Sequence, residues 1–313
     1  MKVLIITLMY ISLYASSIPK CVYISSYHQG FSWSDGIESS IKKVLKNKCE
    51  VFQFNMDTKR NKTEEFKKSQ ALLAKKFIDK INPSVVITSD DNAAKYLVSK
   101  YYKNSKIPFI FCGINWTAKK YGFPYKNVTG MLEVLPINGL FELSDTIIHG
   151  KTAIFIGDNT ITDKKDLKRF QEFSESSNIK LDYELVDNIS QWKSIYLKAQ
   201  KDYDFIILGH NAAIKNWDDK EIKEFVYENT KKLSITTYTW MMQFSTLGLT
   251  ILSSEQGTWA ANSALAIING YNIQDISITT NKKWDIWINT RIQKSSGIHI
   301  PRYIKNKAKR VTY

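Results

Sequence analysis

The chain has 313 residues, is 43% hydrophobic and carries a formal net charge of +14. This length fits one large domain or two ordinary ones, and the apolar content excludes a disordered chain. The positive charge is compatible with a nucleic-acid or acidic-lipid partner. Only five of the basic residues are arginines, and the lysines are scattered along helical patterns without a nucleic-acid-binding motif. We therefore interpret most lysines as solvated helix faces and expect no nucleic-acid partner.

The first residues have the pattern of a secretory signal peptide. Met1 and Lys2 precede a 13-residue apolar run, Val3–Ala15, which small residues follow. The run is too short to anchor the chain across a bilayer. We expect cleavage near Ser17 and export to the periplasm. The alternative is a buried first strand.

Cys21 and Cys49 open the first two predicted strands. Neighbouring parallel strands would place both cysteines at the same end of a sheet, and an oxidising compartment permits a disulfide. A Cys21–Cys49 bridge is one prediction, and two unpaired buried thiols are the other. Cys112 lies in an apolar run and is predicted to be a core residue.

The first half of the chain alternates strand and helix patterns. Helices are predicted to begin with Ser34 and Thr63 as N-caps, and a third helix is predicted over Asp90–Tyr102. The predicted strands between them are Val22–Ser26, Val51–Phe54, Ser84–Thr88 and Pro108–Cys112. This βαβαβαβ order predicts a parallel sheet with helices on both faces.

The second half repeats the alternation. A helix follows Pro136, another covers Asp163–Ser177, a third has Ser190 as its N-cap, and a fourth covers Asp218–Asn229. The predicted strands are Thr152–Ile156, Leu181–Val186, Asp204–Leu208 and Leu233–Thr237. A last strand, helix and strand follow at Gly248–Leu252, Glu255–Asn269 and Trp284–Asn289. We predict two α/β lobes and a chain that crosses between them more than once.

Common catalytic motifs are missing from the sequence. It contains neither nucleotide-binding glycine fingerprint, no G-x-S-x-G elbow and no H-E-x-x-H, and its four histidines do not have metal-ligand spacing. The sequence therefore predicts no cofactor and no metal, and an enzyme is disfavoured.

Ligands of open α/β sheets bind beyond the carboxyl ends of the strands. The loops at those ends are rich in aromatic, Asp and Asn side chains, which suit a small polar ligand with a flat or apolar part. The candidate ligand-binding residues are Tyr27, His28, Trp33, Asp90, Asp91, Asn92, Asn115, Trp116, Asp158, His210, Asn211 and Trp240.

Some of these residues have a structural alternative. Asp90, Asp91 and Asn92 stand where a helix begins, so N-capping alone explains at least one of them. An aspartate that also faces the ligand would favour an amino or other cationic group. Trp33 and Trp116 are either walls of a cleft or edges of the core. Glu255 and Gln256 are interpreted as the start of the last long helix.

Several segments resemble the ABC transporter substrate-binding protein family that includes tryptophan and tyrosine binders. The similar stretches are YISSYHQGFSWSDGI, INPSVVITSDDNAAKYL followed by IPFIFCGIN, NVTGMLEVLPI and INTRIQKSSGIHIP. The resemblance covers nearly all of the chain after the leader and implies the type I periplasmic-binding-protein fold: two Rossmann-like lobes with parallel sheets, joined by hinge strands.

The resemblance also implies the domain limits. After a leader at 1–17, one lobe would comprise 18–130 with 253–280, and the other would comprise 131–252 with 281–313. Hinges would fall near Thr129–Glu133, Leu252–Ser254 and Ile278–Trp284.

The family's ligand contacts map, as positions, to Tyr27, His28, Asp90, Asp91, Asn92 and Asn115. The acidic SDDN stretch departs from the T-P-A-A-like helix start of the amino-acid binders, which puts an amino-acid ligand in doubt.

We therefore expect a non-enzymatic, monomeric, exported solute-binding protein. It would capture a small polar or amino-bearing ligand between its lobes and deliver it to an ABC permease, or signal to a membrane sensor kinase or cyclase. The alternative is a secreted hydrolase-like enzyme of doubly wound fold that uses His28 or His210 as a base.

Overall fold

The computed structural model describes residues 18–311, so the predicted signal peptide and its cleavage point lie outside the described residues. The chain divides into two compact units. Unit 1 comprises Met1–Glu133 and Ser253–Thr279, and unit 2 comprises Val134–Leu252 and Thr280–Tyr313. The chain crosses between the units three times, after Glu133, after Leu252 and after Thr279.

Unit 1 is built on a six-stranded sheet with the order β11-β5-β4-β3-β1-β2. Strands β1 to β5 pair in parallel, as the βαβ alternation predicts. The strands are β1 (Lys20–Ser25), β2 (Glu50–Asn55), β3 (Val85–Ser89), β4 (Phe109–Asn115), β5 (Val128–Glu133) and β11 (Thr279–Thr280).

The helices of unit 1 cover both faces of this sheet and bury two apolar clusters against it. Helix α9 packs on α1, and Gly257 permits the close approach because a Cβ there would lie 2.3 Å from the Ile37 carbonyl oxygen. The helices are α1 (Ser32–Leu45), α2 (Glu64–Ile81), α3 (Asp90–Asn92), a π-helical segment (Ala93–Val98), α4 (Ser99–Tyr101) and α9 (Ser253–Ile268).

Unit 2 has a seven-stranded sheet with the order β13-β12-β10-β9-β8-β6-β7. Strands β6 to β10 are parallel, and β12 joins antiparallel to β10. The strands are β6 (Thr152–Asp158), β7 (Lys180–Val186), β8 (Phe205–Leu208), β9 (Leu233–Thr236), β10 (Leu247–Ile251), β12 (Trp284–Ile288) and β13 (Lys309–Arg310).

The core of unit 2 includes an aromatic cluster on the α5 side of β6 and β8. Phe141, Phe155, Phe170 and Phe205 have ring centroids between 5.4 and 6.2 Å apart. The helices are α5 (Ile137–Asp145), α6 (Ile161–Ser176), α7 (Ile189–Asp202), α8 (Asp219–Asn229), α10 (Thr290–Ser296) and α11 (Arg302–Lys307).

Local capping explains where several helices begin, and it corrects two predictions. Thr63 caps α2 as predicted, because its hydroxyl accepts a hydrogen bond from the Phe66 amide at 3.3 Å. The predictions for Ser34 and Ser190 are wrong. Phe31 occupies the N-cap position of α1, and the side chain of Asn188 caps α7 by accepting from the Gln191 amide at 3.0 Å.

The structure joins Cys21 and Cys49 by a disulfide, with the two Cα atoms 5.9 Å apart. Both residues lie at the amino ends of the paired strands β1 and β2, where the parallel register places Cys21 opposite Val51. Cys112 is a free, buried thiol in β4. Across 18–311, the structure contains no helix that is both long and apolar enough to cross a membrane.

Candidate functional site

The parallel pairing of β1, β3 and β4 gathers three loops at one edge of unit 1. Ser25 pairs with Ser89, and Ser89 pairs with Cys112, so these strands end side by side. The strand ends and the segments that follow them carry eight of the predicted ligand-binding residues, which unit 1 therefore brings to one edge of its sheet: Tyr27, His28, Trp33, Asp90, Asp91, Asn92, Asn115 and Trp116.

Asp90 is the most unusual residue at this edge. It is 4% exposed and has a left-handed backbone (φ 68°), which is rare outside glycine. Its Oδ2 atom is buried without a hydrogen-bond partner among the described residues. Burial and the neighbouring Asp91 carboxylate raise the pKa of Asp90 to about 7. A strained, buried carboxylate with an unused oxygen is typical of functional sites.

The backbone around Asp90 is shaped to hold this carboxylate. Gly113 in β4 also has a positive φ of 69°, and a Cβ there would lie 3.1 Å from Asp90 Oδ1. The Gly113 amide donates to Gln256 Oε1 at 3.0 Å, and Gln256 Nε2 donates to the Leu132 carbonyl at 3.2 Å. Gln256 is fully buried, so it is a bridge between β4 and β5 rather than only the start of a helix.

Asp91, by contrast, is fully engaged. It accepts a hydrogen bond from Asn115 Nδ2 at 3.1 Å and another from the Tyr121 hydroxyl, and it pairs with Lys120 Nζ at 2.9 Å. The prediction that N-capping explains at least one of Asp90, Asp91 and Asn92 is wrong, because Ser89 occupies the N-cap position. The side chain of Ser26 accepts from the Ala93 amide at 2.8 Å and takes that role from the neighbouring loop.

Two aromatic rings and a lysine form a corner next to the loop after β1. Tyr27 and Phe31 meet edge to face, with centroids 5.6 Å apart. Lys59 Nζ lies 4.4 Å from the Phe31 centroid and 5.1 Å from the Tyr27 centroid, within cation–π range. Burial and then Asp90 and Asp91 raise the pKa of Tyr27 well above its usual value, so its hydroxyl stays neutral.

His28 and Asn92 connect this edge to the loop after β2. His28 Nδ1 lies 3.5 Å from Asp57 Oδ1, and Asn92 Nδ2 donates to Thr58 Oγ1 at 2.9 Å. Asn92 therefore ties α3 to the loop that carries Lys59, whereas His28 Nδ1 is buried without a hydrogen-bond partner among the described residues.

The two predicted tryptophans are differently placed. Trp33 is partly buried, packs against the apolar cluster on the α1 face and hydrogen-bonds with the Asp90 carboxylate, so it belongs both to the edge of the core and to this edge of the sheet. Trp116 has a left-handed backbone (φ 61°), and its amide donates to the Glu133 carbonyl at 2.9 Å.

In unit 2, the centre of the corresponding edge is Asp163 in the first turn of α6. It is fully buried, and its Oδ2 accepts from the Asp158 amide at 2.7 Å and from the His210 amide at 3.0 Å. Its Oδ1 contacts His210 Nδ1. Asp163 thereby joins the ends of β6 and β8.

Two glycines make room for this carboxylate. A Cβ at Gly157 would lie 2.2 Å from Asp163 Oδ2, and a Cβ at Gly209 would lie 2.8 Å from the same atom. The positions of Asp163 and of these glycines are therefore coupled.

His210, Tyr238 and Trp240 form a ring stack beside Asp163. Tyr238 lies 4.1 Å from His210 and 5.0 Å from Trp240, centroid to centroid, and Trp240 is 48% exposed. Burial opposes the charged form of His210, but the hydrogen bond to Asp163 and the charges of Asp163, Asp166 and Asp158 outweigh it and raise the pKa of His210. The stack therefore presents the exposed ring of Trp240 to solvent, and the histidine next to it has a raised pKa, which favours its protonated form.

The remaining predicted residues of unit 2 are Asp158 and Asn211. Asp158 is 2% exposed and uses both carboxylate oxygens inside the unit, accepting from Thr160 Oγ1 at 2.6 Å and from the Ala213 amide at 3.0 Å. Asn211 is partly exposed directly after His210. Asp158 thus holds its loop together.

Asp163, Asp166 and His210 offer ligand atoms that all lie within 4.8 Å of one another, as in a metal site. However, Asp163 is saturated by its three contacts, and Tyr238 donates its hydroxyl to Asp166 Oδ2 at 2.7 Å. These partners give the carboxylates a structural role without an ion.

Sequence reasoning missed Lys59, Asp163, Asp166, Tyr238 and the bridging role of Gln256. The signal for Lys59 was its place in the loop after β2, one of the strand-end loops that the ligand rule selects. In the sequence, Asp163 has the pattern of an ordinary acidic residue in the first turn of a helix, which gives no signal for its role.

A groove of about 350 Å³ lies elsewhere in unit 2, beside β7. Its lining includes Asp182, Tyr183, Glu184 and Lys198 and contains none of the predicted ligand-binding residues. β7 is the edge strand of the unit 2 sheet.

Comparisons with known proteins agree with the fold. The chain matches the family model described as ABC transporter substrate binding protein over residues 33–312. No curated protein sequence matches the chain significantly.

Solved structures with the same fold cover most of both chains. A Streptococcus pneumoniae ABC domain in complex with L-Trp is 18% identical, with a TM-score of 0.60 over 94% of this chain and 100% of that one. A ligand-free, open substrate-binding protein with adhesive properties from Clostridium difficile is 14% identical, with a TM-score of 0.76 over 94% and 99%. A Bradyrhizobium ABC transporter solute-binding protein with bound bis-tris is 14% identical, with a TM-score of 0.61 over 94% and 90%.

The two parallel-sheet units, the three crossings and the match over residues 33–312 show that this chain belongs to the ABC transporter substrate-binding protein family and has the type I periplasmic-binding-protein fold.

Proposed function

We propose that this protein is an exported solute-binding protein that captures a small polar or amino-bearing ligand between its two lobes. It delivers the ligand to an ABC permease or signals to a membrane sensor kinase or cyclase. Members of the family act outside the cytoplasm and bind small solutes without catalysing a reaction. In this proposal the chain is a periplasmic monomer whose leader is removed near Ser17.

One observation carries the ligand chemistry. The buried Asp90 Oδ2 has no hydrogen-bond partner among residues 18–311, and a buried polar atom without a partner is costly unless a ligand satisfies it. An ammonium group would satisfy both its hydrogen-bonding capacity and its charge. The bound L-Trp and bis-tris of two structural relatives both carry amino groups, which supports the same class.

The three chain crossings support a hinge mechanism. They lie at Glu133/Val134, Leu252/Ser253 and Thr279/Thr280, so a few backbone torsions can change the arrangement of the two units. A ligand that contacts both units stabilises the arrangement in which it does so, which is the signal that a membrane partner reads.

The test is a thermal-shift screen of the purified mature protein against amino acids, amines, purines and small organic acids. A ligand at 100 times its Kd stabilises the native state by about 2.7 kcal/mol, which should raise the melting temperature by about 4 to 8 °C. For the ligand found, Asp90→Ala should abolish most of the shift while the protein remains folded. A complete absence of ligands across the screen, or a shift that Asp90→Ala leaves unchanged, would contradict the proposed site.

The enzyme alternative has less support. The described contact of the His210 ring nitrogens is with Asp163, and His28 Nδ1 faces Asp57. Within residues 18–311, no hydroxyl or thiol is hydrogen-bonded to either imidazole, so neither histidine has a side-chain nucleophile to activate.

A further inference from the structure

Lys59 is a cation held against aromatic rings without an acidic partner. Its Nζ lies 4.4 Å from the Phe31 centroid and 5.1 Å from that of Tyr27. Within the described part of the chain, no carboxylate lies within ion-pair distance of this ammonium. Lys59 therefore gives up part of its hydration for the two rings alone.

The charges around this corner favour a cation. Burial lowers the pKa of Lys59 below its usual value, and the nearby Asp90 and Glu133 carboxylates oppose this shift while Lys62 adds to it. Asp90, Asp91 and Glu133 also act on Tyr27, one of the two rings. Three carboxylates, those of Asp90, Asp91 and Glu133, therefore act electrostatically on this corner, and the Lys59 ammonium lies against its two rings.

The unused Asp90 Oδ2 is a second, independent sign that something is missing here. The carboxylate is 4% exposed and hydrogen-bonds with Ser89 and Trp33, but its Oδ2 atom has no hydrogen-bond partner among the described residues, although Lys59 is near enough to affect its titration. Lys59 therefore supplies charge to the corner without satisfying the hydrogen-bonding capacity of Asp90. A ligand ammonium that reached both the rings and Asp90 would do both.

We propose that Lys59 is an internal competitor, whose ammonium occupies the aromatic corner that the cationic group of the ligand takes when it binds. This inference rests on the proposed function and specifies the ligand as an organic ammonium ion. Binding requires the Lys59 side chain to leave the Tyr27–Phe31 corner, and the lysine thereby sets the affinity. Its exposed position in the loop after β2 allows it to move into solvent.

The experiment compares wild type with Lys59→Met, which keeps the length of the side chain and removes its charge. Benzylammonium and benzoate are the probes, and binding is measured by isothermal titration calorimetry at pH 7.5. Because a partly desolvated cation–π contact is lost from the competing side chain, Lys59→Met should bind benzylammonium about three- to thirty-fold more tightly. Lys59→Gln should show the same direction of change.

Lys62→Met is the matched control, since it removes a lysine from the same loop that has no described ring contact. It should bind benzylammonium as the wild type does. The melting temperature of each variant establishes that it is folded.

Three outcomes would overturn the inference: benzylammonium binding that Lys59→Met leaves unchanged or weakens, benzylammonium that binds neither protein, or benzoate binding that is lost with Lys59. The last would make Lys59 an anion-binding residue. None of these outcomes depends on the thermal-shift screen, so an uncharged ligand found there would preserve the proposed function while this inference fails.

Discussion

Asp90 in unit 1 and Asp163 in unit 2 are both buried aspartates at the carboxyl edge of a parallel sheet, but their oxygens are used differently. Asp163 accepts two backbone amides and the His210 ring. Asp90 has a strained backbone and an Oδ2 atom without a partner among the described residues. A buried carboxylate stabilises a fold when its hydrogen bonds are complete and burdens it when they are not. Asp163 therefore stabilises the fold of unit 2, whereas Asp90 has an oxygen that can accept a hydrogen bond from a ligand.

The largest loss of stability is expected when the hydrogen bonds of Asp163 in unit 2 are disrupted. In Gly157→Ala, the added methyl group would lie 2.2 Å from Asp163 Oδ2. Either the carboxylate or β6 must move, and the hydrogen bonds to Asp158 and His210 are lost. We expect the free energy of unfolding to fall by about 3 kcal/mol, measured by urea denaturation.

Gly139→Ala in α5 of the same unit is the control. Its Cβ would meet only the flexible tip of Leu249, at 3.1 Å, and alanine favours the helix. Its stability should stay within about 1 kcal/mol of wild type. Equal losses in the two variants would refute the role given to Asp163.

A change at Asp90 is expected to have an intermediate effect on the free energy of unfolding, and this effect should depend on pH. Its pKa is about 7 in the folded protein against 3.8 as the ordinary value, so the folded state binds the proton more tightly than the unfolded state. Protonation therefore stabilises the fold at low pH, and this contribution is lost as the pH rises from about 4 to about 7. The slope is at most about 1.4 kcal/mol per pH unit.

Asp90→Asn removes this dependence, because the amide does not titrate. The stability of the variant relative to wild type should increase by about 2 kcal/mol or more between pH 5 and pH 8, and most of the increase should come below pH 7. Urea unfolding at four pH values measures the difference. A difference that stays constant with pH would show that Asp90 is not a buried, unpaired carboxylate.

Sequence patterns predicted the alternation of strands and helices well, because apolar periodicity is a local property. They missed β5 as a strand and placed the end of β4 at Cys112 rather than Asn115, because the bulge between Phe111 and Ile114 interrupts the regular pairing. The strand-end rule selected the loops of the site, since it depends only on topology.

The roles of individual side chains were less accessible to sequence reasoning. Asp90 and Asp91 are adjacent and chemically identical, yet Asp90 has a buried oxygen without a partner among the described residues and Asp91 binds Asn115, Tyr121 and Lys120. That difference arises from the left-handed backbone at Asp90 and from residues 24 to 30 positions away in the chain. Lys59, Gln256 and Asp163 act through contacts of the same long-range kind, which no local pattern reports.

The smallest effect is expected at Asp166, at the periphery of the unit 2 stack. The hydrogen bond and charge of Asp163, followed by the charges of Asp166 and Asp158, overcome burial and raise the pKa of His210 above its ordinary value of 6.5. Asp166→Asn removes one of these charges and keeps an oxygen to accept the Tyr238 hydroxyl. The pKa of His210 should therefore fall in the variant while the fold is retained.

Because the folded pKa of His210 is raised, its charged form contributes stability below pH 6.5 that is lost as the pH rises through the folded value. Asp166→Asn should shift that loss to lower pH. NMR titration of the imidazole signals measures the pKa directly, with Asp145→Asn, an exposed carboxylate near His149, as the variant that should leave His210 unchanged. If His210 titrates at or below 6.5 in the wild type, the aspartates do not hold it as a cation, and the contrast between a completed carboxylate network in unit 2 and an available carboxylate in unit 1 would have to be abandoned.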